Sequence, residues 1–323
     1  MLARRRDFLW GVGAVAAMSF AAPALRGEDR PAASPIIDAH QHLWNLDKFH
    51  LPWLDRAGPL LKRNYSMDDY VKAAEGLNVT AAVYMEVAVA PEQQAAEADE
   101  VIGLCERKIG PMVAAVIGGR PESDGFRDYI VRFKGNRFVK GVRSSFPKDG
   151  ATNAQFHESL KLLGELGMSY DLLLDNSLLP QAVKAVEACP ETRFILDHCG
   201  NASTKFYAAG SAKDVAVQDR RRAWEEGIAA LAEKKHVICK ISGVAESGTA
   251  DDATLENVAP IVNHCLDRFA EERVVFASNW PVCLKAVTFA RWVELAKKIT
   301  SGRGEKFQNK LFHDNAERFY GLK

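Results

Sequence analysis

The sequence predicts an α/β protein folded as a single (β/α)8 TIM barrel, and three observations carry that reading. Eight short apolar runs recur between residues 36 and 280, and each is followed by a stretch of helical periodicity. The runs are apolar throughout rather than alternating, as expected of parallel strands covered on both faces. The first run ends in His40-Gln41-His42, where an open doubly wound sheet usually carries a glycine-rich phosphate turn. With no break in composition, residues 36–323 read as one barrel domain.

Taken in order, the first run is Ile36-Ile37-Asp38-Ala39-His40-Gln41-His42-Leu43-Trp44. In an extended chain alternate side chains share a face, so Asp38, His40 and His42 are expected to line one side together. A polar and aromatic loop over 45–67 follows, long enough to cover a site. Ser66 is a natural N-cap for a short helix ending near Gly76. A strand at 81–89 leads to a helix at 91–109, with Pro91 at its start and Gly110 after its end. The strand at 112–118 precedes a helix at 125–134, where Phe126, Tyr129, Ile130 and Phe133 fall at i, i+3, i+4 and i+7. The rhythm continues with strand 139–146, helix 153–166, strand 168–175, helix 178–188 and strand 193–198. A loop over 201–215, helix 218–234, strand 237–244, helix 254–270 and strand 274–280 complete the eight units. Helical stretches at 287–299, 305–312 and 315–320 close the chain.

At 47% hydrophobic the chain can bury a full core, and its 42 Lys and Arg balance its 42 Asp and Glu. That balance, with no basic stripe, excludes a nucleic-acid partner or an anionic membrane surface and leaves a small molecule as the expected partner. None of the six cysteines shows C-x-x-C spacing, so a zinc knuckle is not expected and most should be free, buried thiols. The first 35 residues read differently. Arg4-Arg5-Arg6 leads into an apolar Gly/Ala-rich run and an Ala22-Pro23-Ala24 cleavage pattern. The run falls short of the roughly 20 apolar residues that span a bilayer. Arg5-Arg6-x-Phe8-Leu9 resembles a twin-arginine export signal, so the mature protein is expected in the periplasm or otherwise exported, with no stable membrane association. Oligomeric state carries no signal in the sequence.

A barrel of this kind works at the C-terminal ends of its strands. Those ends offer His40 and His42; Glu86; Arg143; Tyr170, Asp171 and Asp175; Asp197 and His198; Lys240 and Ser242; and Ser278, Asn279 and Trp280. The third, at Gly118-Gly119-Arg120, offers little. Paired imidazoles at a strand end suit metal ligation or proton transfer. Lys240 lies inside an apolar run, so it must face the mouth with a partner or be strongly desolvated. Adjacent residues on a strand face opposite ways. On that basis Tyr170 is assigned to the site rather than Asp171, and Asp197 is expected to brace the outer helices. Arg143 faces either a substrate or a structural carboxylate, and alternation leaves the face of Glu86 open.

Several of these segments resemble the amidohydrolase superfamily, and within it the amidohydrolase-related branch of sugar-lactone and dicarboxylate-lactone hydrolases. They are Asp38 to Trp44, Gly141-Val142-Arg143, Tyr170-Asp171-Leu172, Leu196-Asp197-His198-Cys199-Gly200, Cys239-Lys240-Ile241-Ser242-Gly243, Ser278-Asn279-Trp280-Pro281-Val282 and Asn315-Ala316-x-x-Phe319-Tyr320. The resemblance implies a (β/α)8 barrel that hydrolyses an ester, lactone or amide. In the superfamily the first-strand histidines bind a divalent metal, whereas several members of this branch act without a tightly held one. The counterparts of Arg143, Tyr170 and Lys240 would contact substrate carboxylate, hydroxyl or carbonyl groups. One departure stands out: the family places Asp, its general base, where this chain has Asn279. An amide cannot take up a proton at neutral pH, and losing a general base typically costs roughly 100- to 10,000-fold in rate. Either His198, Glu86 or a Lys240 with depressed pKa replaces it, or a metal generates hydroxide, or catalysis has been lost and binding kept.

The expected protein is therefore an exported lactone or ester hydrolase. His40, His42, His198 and Asn279 would be catalytic, and Arg143, Tyr170, Lys240, Trp44 and Glu86 would bind substrate. Its cofactor would be one zinc or manganese ion on His40, His42 and His198, or none. A non-catalytic binding protein on the same barrel is the alternative.

Overall fold

The computed structural model describes residues 34–322, so the expected export leader lies almost wholly outside the described residues. Eight parallel strands follow one another around the sheet: β1 Ile36–Gln41, β2 Val79–Met85, β3 Met112–Gly118, β4 Val139–Ser145, β5 Ser169–Leu173, β6 Arg193–Leu196, β7 Val237–Ile241 and β8 Val274–Phe276. The chain beyond β8 returns to β1. The amide of Asn279 donates to the His40 carbonyl at 2.9 Å and that of His42 to the Trp280 carbonyl at 2.8 Å. The helices start where side-chain caps satisfy their first amides. Ser66 and Asp69 form a capping box on Met67–Ala73, Asn153 caps Ala154–Glu165, Asp214 caps Val215–Ala232 and Thr254 caps Leu255–Phe269. The Asp214 cap starts that helix three residues before the hydrophobic periodicity suggests.

Two apolar layers flank the sheet. Ile37, Ala39, Val83, Met85, Val116, Ile195, Ile238 and Val275 fill the lower barrel interior. The alternate residues, among them Ile36, Tyr84, Val142, Tyr170, Phe194, Leu196 and Phe276, pack outward against the helices. The loop after β1 is packed down through two short 3-10 turns, Pro52–Arg56 and Pro59–Leu61. The indole of Trp53 ties it to the Val87 carbonyl at 2.7 Å.

Alternation in β1 does not run through. Asp38 pairs with Ala82 and Gln41 with Tyr84, so β1 takes three steps where β2 takes two. Such a bulge reverses the facing of every later side chain. Asp38 therefore points to the helix layer, accepting from the Tyr70 hydroxyl at 2.9 Å and from the Ser278 amide at 2.7 Å. His40 and His42 turn into the barrel. The expectation that all three share one face is corrected by this single extra residue.

Behind β2, Glu97 is buried on the helix Gln94–Glu106. One carboxylate oxygen accepts from the Tyr84 hydroxyl and the Val87 amide at 2.9 and 2.7 Å, and the other has no partner. Burial, with Glu86 adding to it, pushes this carboxyl up from 4.5 to about 8. A pKa raised on folding means that the fold holds the proton while the unfolded chain releases it. Glu97 therefore costs nothing below pH 4.5, and its ionisation destabilises the fold progressively between pH 4.5 and about 8. We expect Glu97→Gln to match the wild type in denaturant stability near pH 4.5. Its advantage should grow by up to about 1.4 kcal/mol per pH unit above that. A difference independent of pH would contradict the assignment.

Candidate active site

The polar groups at the C-terminal mouth form a floor and a lip. The floor consists of His40, Asp171, Asp197 and Lys240, with essentially no exposed surface. The lip consists of His42, Arg143, His198, Glu246 and Asn279, each between 5 and 8% exposed. Strand phase explains the floor. In β5 and β6 the residues Tyr170, Leu172, Phe194 and Leu196 belong to the outer layer, so Asp171 and Asp197 face in, and Lys240 does the same on β7.

This arrangement overturns three expectations. Tyr170 is not at the cluster: its ring packs against Phe156 and Phe194 in the outer layer, and its hydroxyl meets that of Ser144 at 3.0 Å. Asp171 takes the inward place instead and pairs with Lys240. Asp197 does not brace outer helices but lies 3.1 Å from the Lys240 ammonium, 3.5 Å from His40 and 3.7 Å from Arg143. His198 nevertheless also reaches the mouth, because the chain leaves β6 in a left-handed turn. His198, Cys199, Gly200 and Asn201 have φ of 54°, 52°, 66° and 51°. Such conformations cost non-glycine residues roughly 1–3 kcal/mol each and persist only where the surroundings enforce them. Here the Trp224 indole donates to the Cys199 carbonyl at 2.8 Å, and the Asn201 amide donates to the Leu174 carbonyl at 2.6 Å. His198 Nδ1 meets the Ser242 hydroxyl at 2.9 Å.

The electrostatics of the ion cluster follow from burial and count. Three carboxylates, Glu86, Asp171 and Asp197, face two cations, Arg143 and Lys240. Burial works against the Lys240 ammonium, but Asp171 and Asp197 outweigh it and hold the pKa well above its usual value. Lys240 therefore stays charged, and a depressed Lys240 acting as base is excluded. Burial likewise opposes Asp197, yet Lys240, His40 and His198 keep it well below the usual carboxylate range. Burial, reinforced by Asp197, drives Asp171 up against the pull of Lys240. All three imidazoles are neutral at pH 7. Burial lowers His42 to about 3, with Arg143 adding, and His198 to about 4; His40 also falls well below its ordinary value.

Neutral imidazoles expose lone pairs, and their placement is informative. His42 Nδ1 lies 2.9 Å from the Met85 carbonyl, which fixes its proton there and leaves Nε2 bare. That Nε2 faces His40 Nε2 at 3.1 Å and Asn279 Oδ1 at 3.3 Å. The Asn279 amide is oriented by Glu246, whose carboxylate accepts from Nδ2 at 2.6 Å. Two acceptors thus face each other across 3.3 Å, a contact that needs a shared hydrogen or cation. A tetrahedral ion with bonds of about 2.0–2.1 Å puts its ligands roughly 3.3–3.4 Å apart, close to both spacings. His40, Asp197 and His198 also bring one ligand atom each within 4.8 Å of one another. The donor set therefore fits a divalent metal. Arg143 Nη1 approaches the same His40 Nε2 at 3.3 Å, so that lone pair already has a cation beside it.

The remaining residues divide. Glu86 is at the site: it accepts from Arg143 Nε at 2.6 Å, and its carbonyl accepts from Nη2 at 2.7 Å, so it orients the guanidinium. Trp44 stands apart. It lines a separate cavity of about 310 Å³ with Phe49, Tyr65 and Tyr84, and its indole donates to the Arg63 carbonyl at 2.7 Å. Asp175 caps a 3-10 turn through Ser177 and is exposed. Glu246, which sequence reasoning missed, sits on the turn Ala245–Ser247 beyond β7, where no periodicity reports facing.

A parallel barrel with neutral imidazoles, a held guanidinium and carboxylates at one mouth defines a hydrolase of the barrel type. The sequence model of the amidohydrolase family matches residues 37–322, and the chain belongs to that family. It is 27% identical over 307 residues to the protein y4mH of Sinorhizobium fredii, covering 88% of this chain and 98% of that one. It is 26% identical over 301 residues to an L-fucono-1,5-lactonase of Burkholderia multivorans, covering 88% and 96%. Crystal structures of a Burkholderia multivorans amidohydrolase share the fold. The form with bound HEPES has a TM-score of 0.77 at 21% identity, and the zinc-bound form 0.76 at 20%; each spans 90% of this chain and 100% of that one.

The ion cluster yields a direct test. Lys240→Met leaves Asp171 and Asp197 buried without their ammonium, which should cost about 3–5 kcal/mol in urea unfolding. Adding Asp171→Asn should recover part of that loss. A Lys240→Met protein as stable as the wild type would mean that the cluster does not organise the mouth.

Proposed function

We propose that this chain hydrolyses the lactone, or another carboxylic ester, of a small sugar acid or dicarboxylate, by water attack on a carbonyl at the barrel mouth. The observation that carries the reading is the convergence of His40 Nε2, His42 Nε2 and Asn279 Oδ1 beside Arg143. The lactonase relative supports the substrate class. In this mechanism two of the three acceptor atoms take the two hydrogens of the attacking water and aim it. Arg143, fixed by Glu86, stabilises the oxyanion of the tetrahedral intermediate or grips a substrate carboxylate. His198, braced by Ser242, contacts substrate from the opposite side of the lip. Lys240 acts from the floor, where its charge adds to burial in keeping His40 and His198 neutral. A zinc or manganese ion on His40 and His42, with His198 or Asn279, would supply ionised water at neutral pH.

We assign the role of base to Glu246, which would take the water's proton directly on the carboxylate oxygen not engaged by Asn279. This is the carboxylate bonded to Asn279, and burial pushes it up to about 7. The family's base is then not missing but displaced by one contact. A base must be ionised to act, so kcat/KM should rise with pH through about 7 and fall away below it. Glu246→Gln should abolish that limb and lower kcat by roughly 100-fold or more. Asn279→Asp alone places two carboxylates in contact, which cannot both ionise. Asn279→Asp combined with Glu246→Gln should therefore outperform either single variant. The assay is turnover of sugar and dicarboxylate lactones, with and without added Zn²⁺ or Mn²⁺. Turnover of none of them, in any metal, would overturn the proposal and favour a binding protein that has lost catalysis.

We further propose that residues 1–35 direct export. Replacing Arg5 and Arg6 together with Lys should retain the protein in the cytoplasm with its leader uncleaved, read by fractionation and N-terminal sequencing. Unchanged export would remove that reading.

A further inference from the structure

On the outer side of β6 and β7, away from the mouth, three thiols meet. Cys199 comes from the left-handed turn, Cys239 from β7 and Cys265 from the helix Leu255–Phe269. All three are fully buried, and their sulfurs lie within 4.8 Å of one another. Cys199 and Cys239 both direct their S–H at one acceptor, the Lys240 carbonyl, at 3.6 and 3.7 Å. No disulfide joins them. A core needs only small apolar groups here. What the fold supplies is three soft donors from three separate segments, one of them on a strained residue.

We propose that Cys199, Cys239 and Cys265 form a binding site for one soft monovalent cation of the copper(I) type, distinct from the catalytic mouth. Thiolate ligands select soft ions over calcium, magnesium or manganese. Metal–sulfur bonds of about 2.3 Å at trigonal angles place sulfurs roughly 4.0 Å apart. The thiols therefore need to close by less than 1 Å or so along any edge. The cation enters without change of oxidation state. Two S–H protons leave to solvent as two metal–thiolate bonds form, and the third sulfur coordinates as a thiol, leaving one negative charge in the pocket. Three coordination suits copper(I), whereas zinc calls for a fourth ligand. Occupation is coupled to the mouth through the backbone. Cys199 is bonded to His198 and Cys239 to Lys240, so drawing the sulfurs together shifts both strand ends and lowers hydrolysis.

The test is anaerobic titration of purified full-length protein with copper(I) against a chromophoric copper(I) chelator, together with protein expressed in copper-supplemented medium. One equivalent should bind, with a thiolate-to-copper band in the near ultraviolet. Cys265→Ala and Cys265→Ser, altered on the helix and not at the mouth, should lose the band while keeping native circular dichroism. They should also keep copper-free lactone turnover and lose its inhibition by copper(I). Binding and band are read without any substrate, so they stand even if the lactone assignment fails. No band in the wild type, an undiminished band in both Cys265 variants, or one equivalent of zinc held in preference to copper(I) would each overturn the proposal.

Discussion

A lysine ammonium with no exposed surface is the constraint on which this barrel's mouth depends. An ammonium cannot be buried alone in a protein interior, because its lost hydration must be replaced by opposite charge. Lys240 meets that demand with Asp171 from β5 and Asp197 from just beyond β6. The pairing fixes the inward phase of β5, β6 and β7 at once, since turning any of the three by one residue would bury a bare charge. It also sets the chemistry above it. Asp197 spans from Lys240 to His40 and Arg143, and Arg143 is held on its other side by Glu86. Histidines buried here, with two fixed cations beside them, stay singly protonated, so each keeps one lone pair to present.

The barrel was legible in the sequence because repeated apolar runs need both faces covered, and because helix caps such as Ser66, Asn153 and Thr254 announce themselves locally. The set of strand ends that build the mouth was legible for the same reason. Facing was not, and its failures share one physical cause: alternation holds only while the backbone stays regular and its phase is marked. The bulge in β1 turns Asp38 away from His40. The left-handed turn after β6 lets neighbours Asp197 and His198 serve the same site. In Tyr170-Asp171-Leu172-Leu173-Leu174 the apolar run masks the phase, and tyrosine passes equally as core or site. Trp44 sits beside the histidines in the chain but beyond the regular strand, and it fills a different cavity.

Asn279 looked like a loss when read alone, because the sequence shows substitutions but not the neighbour that answers them. In space its amide bridges the histidine pair and a buried glutamate: Oδ1 faces His42 and Nδ2 donates to Glu246. An aspartate in that place would repel Glu246, so the two positions constrain each other. An amide at 279 is the partner a fixed carboxylate at 246 requires. A donor and an acceptor on one side chain can orient water through the oxygen while the nitrogen fixes the base beside it, which a carboxylate at 279 could not do without sharing a proton.

The strained turn after β6 ties these features together. A backbone held left-handed through consecutive residues keeps its shape only by outside contacts, here from Trp224, Leu174 and Ser242. The same turn sends His198 to the mouth and Cys199 to the outer thiols, so the two faces of the barrel wall are not mechanically independent. Gly243 completes the coupling: at φ +70° it packs directly on the His198 side chain, where a larger residue would collide. Whatever draws Cys199 toward Cys239 and Cys265 must therefore either move His198 against Gly243 or break the turn. Either outcome is felt at the lip, where a displacement of about an ångström can cost on the order of 100-fold in rate.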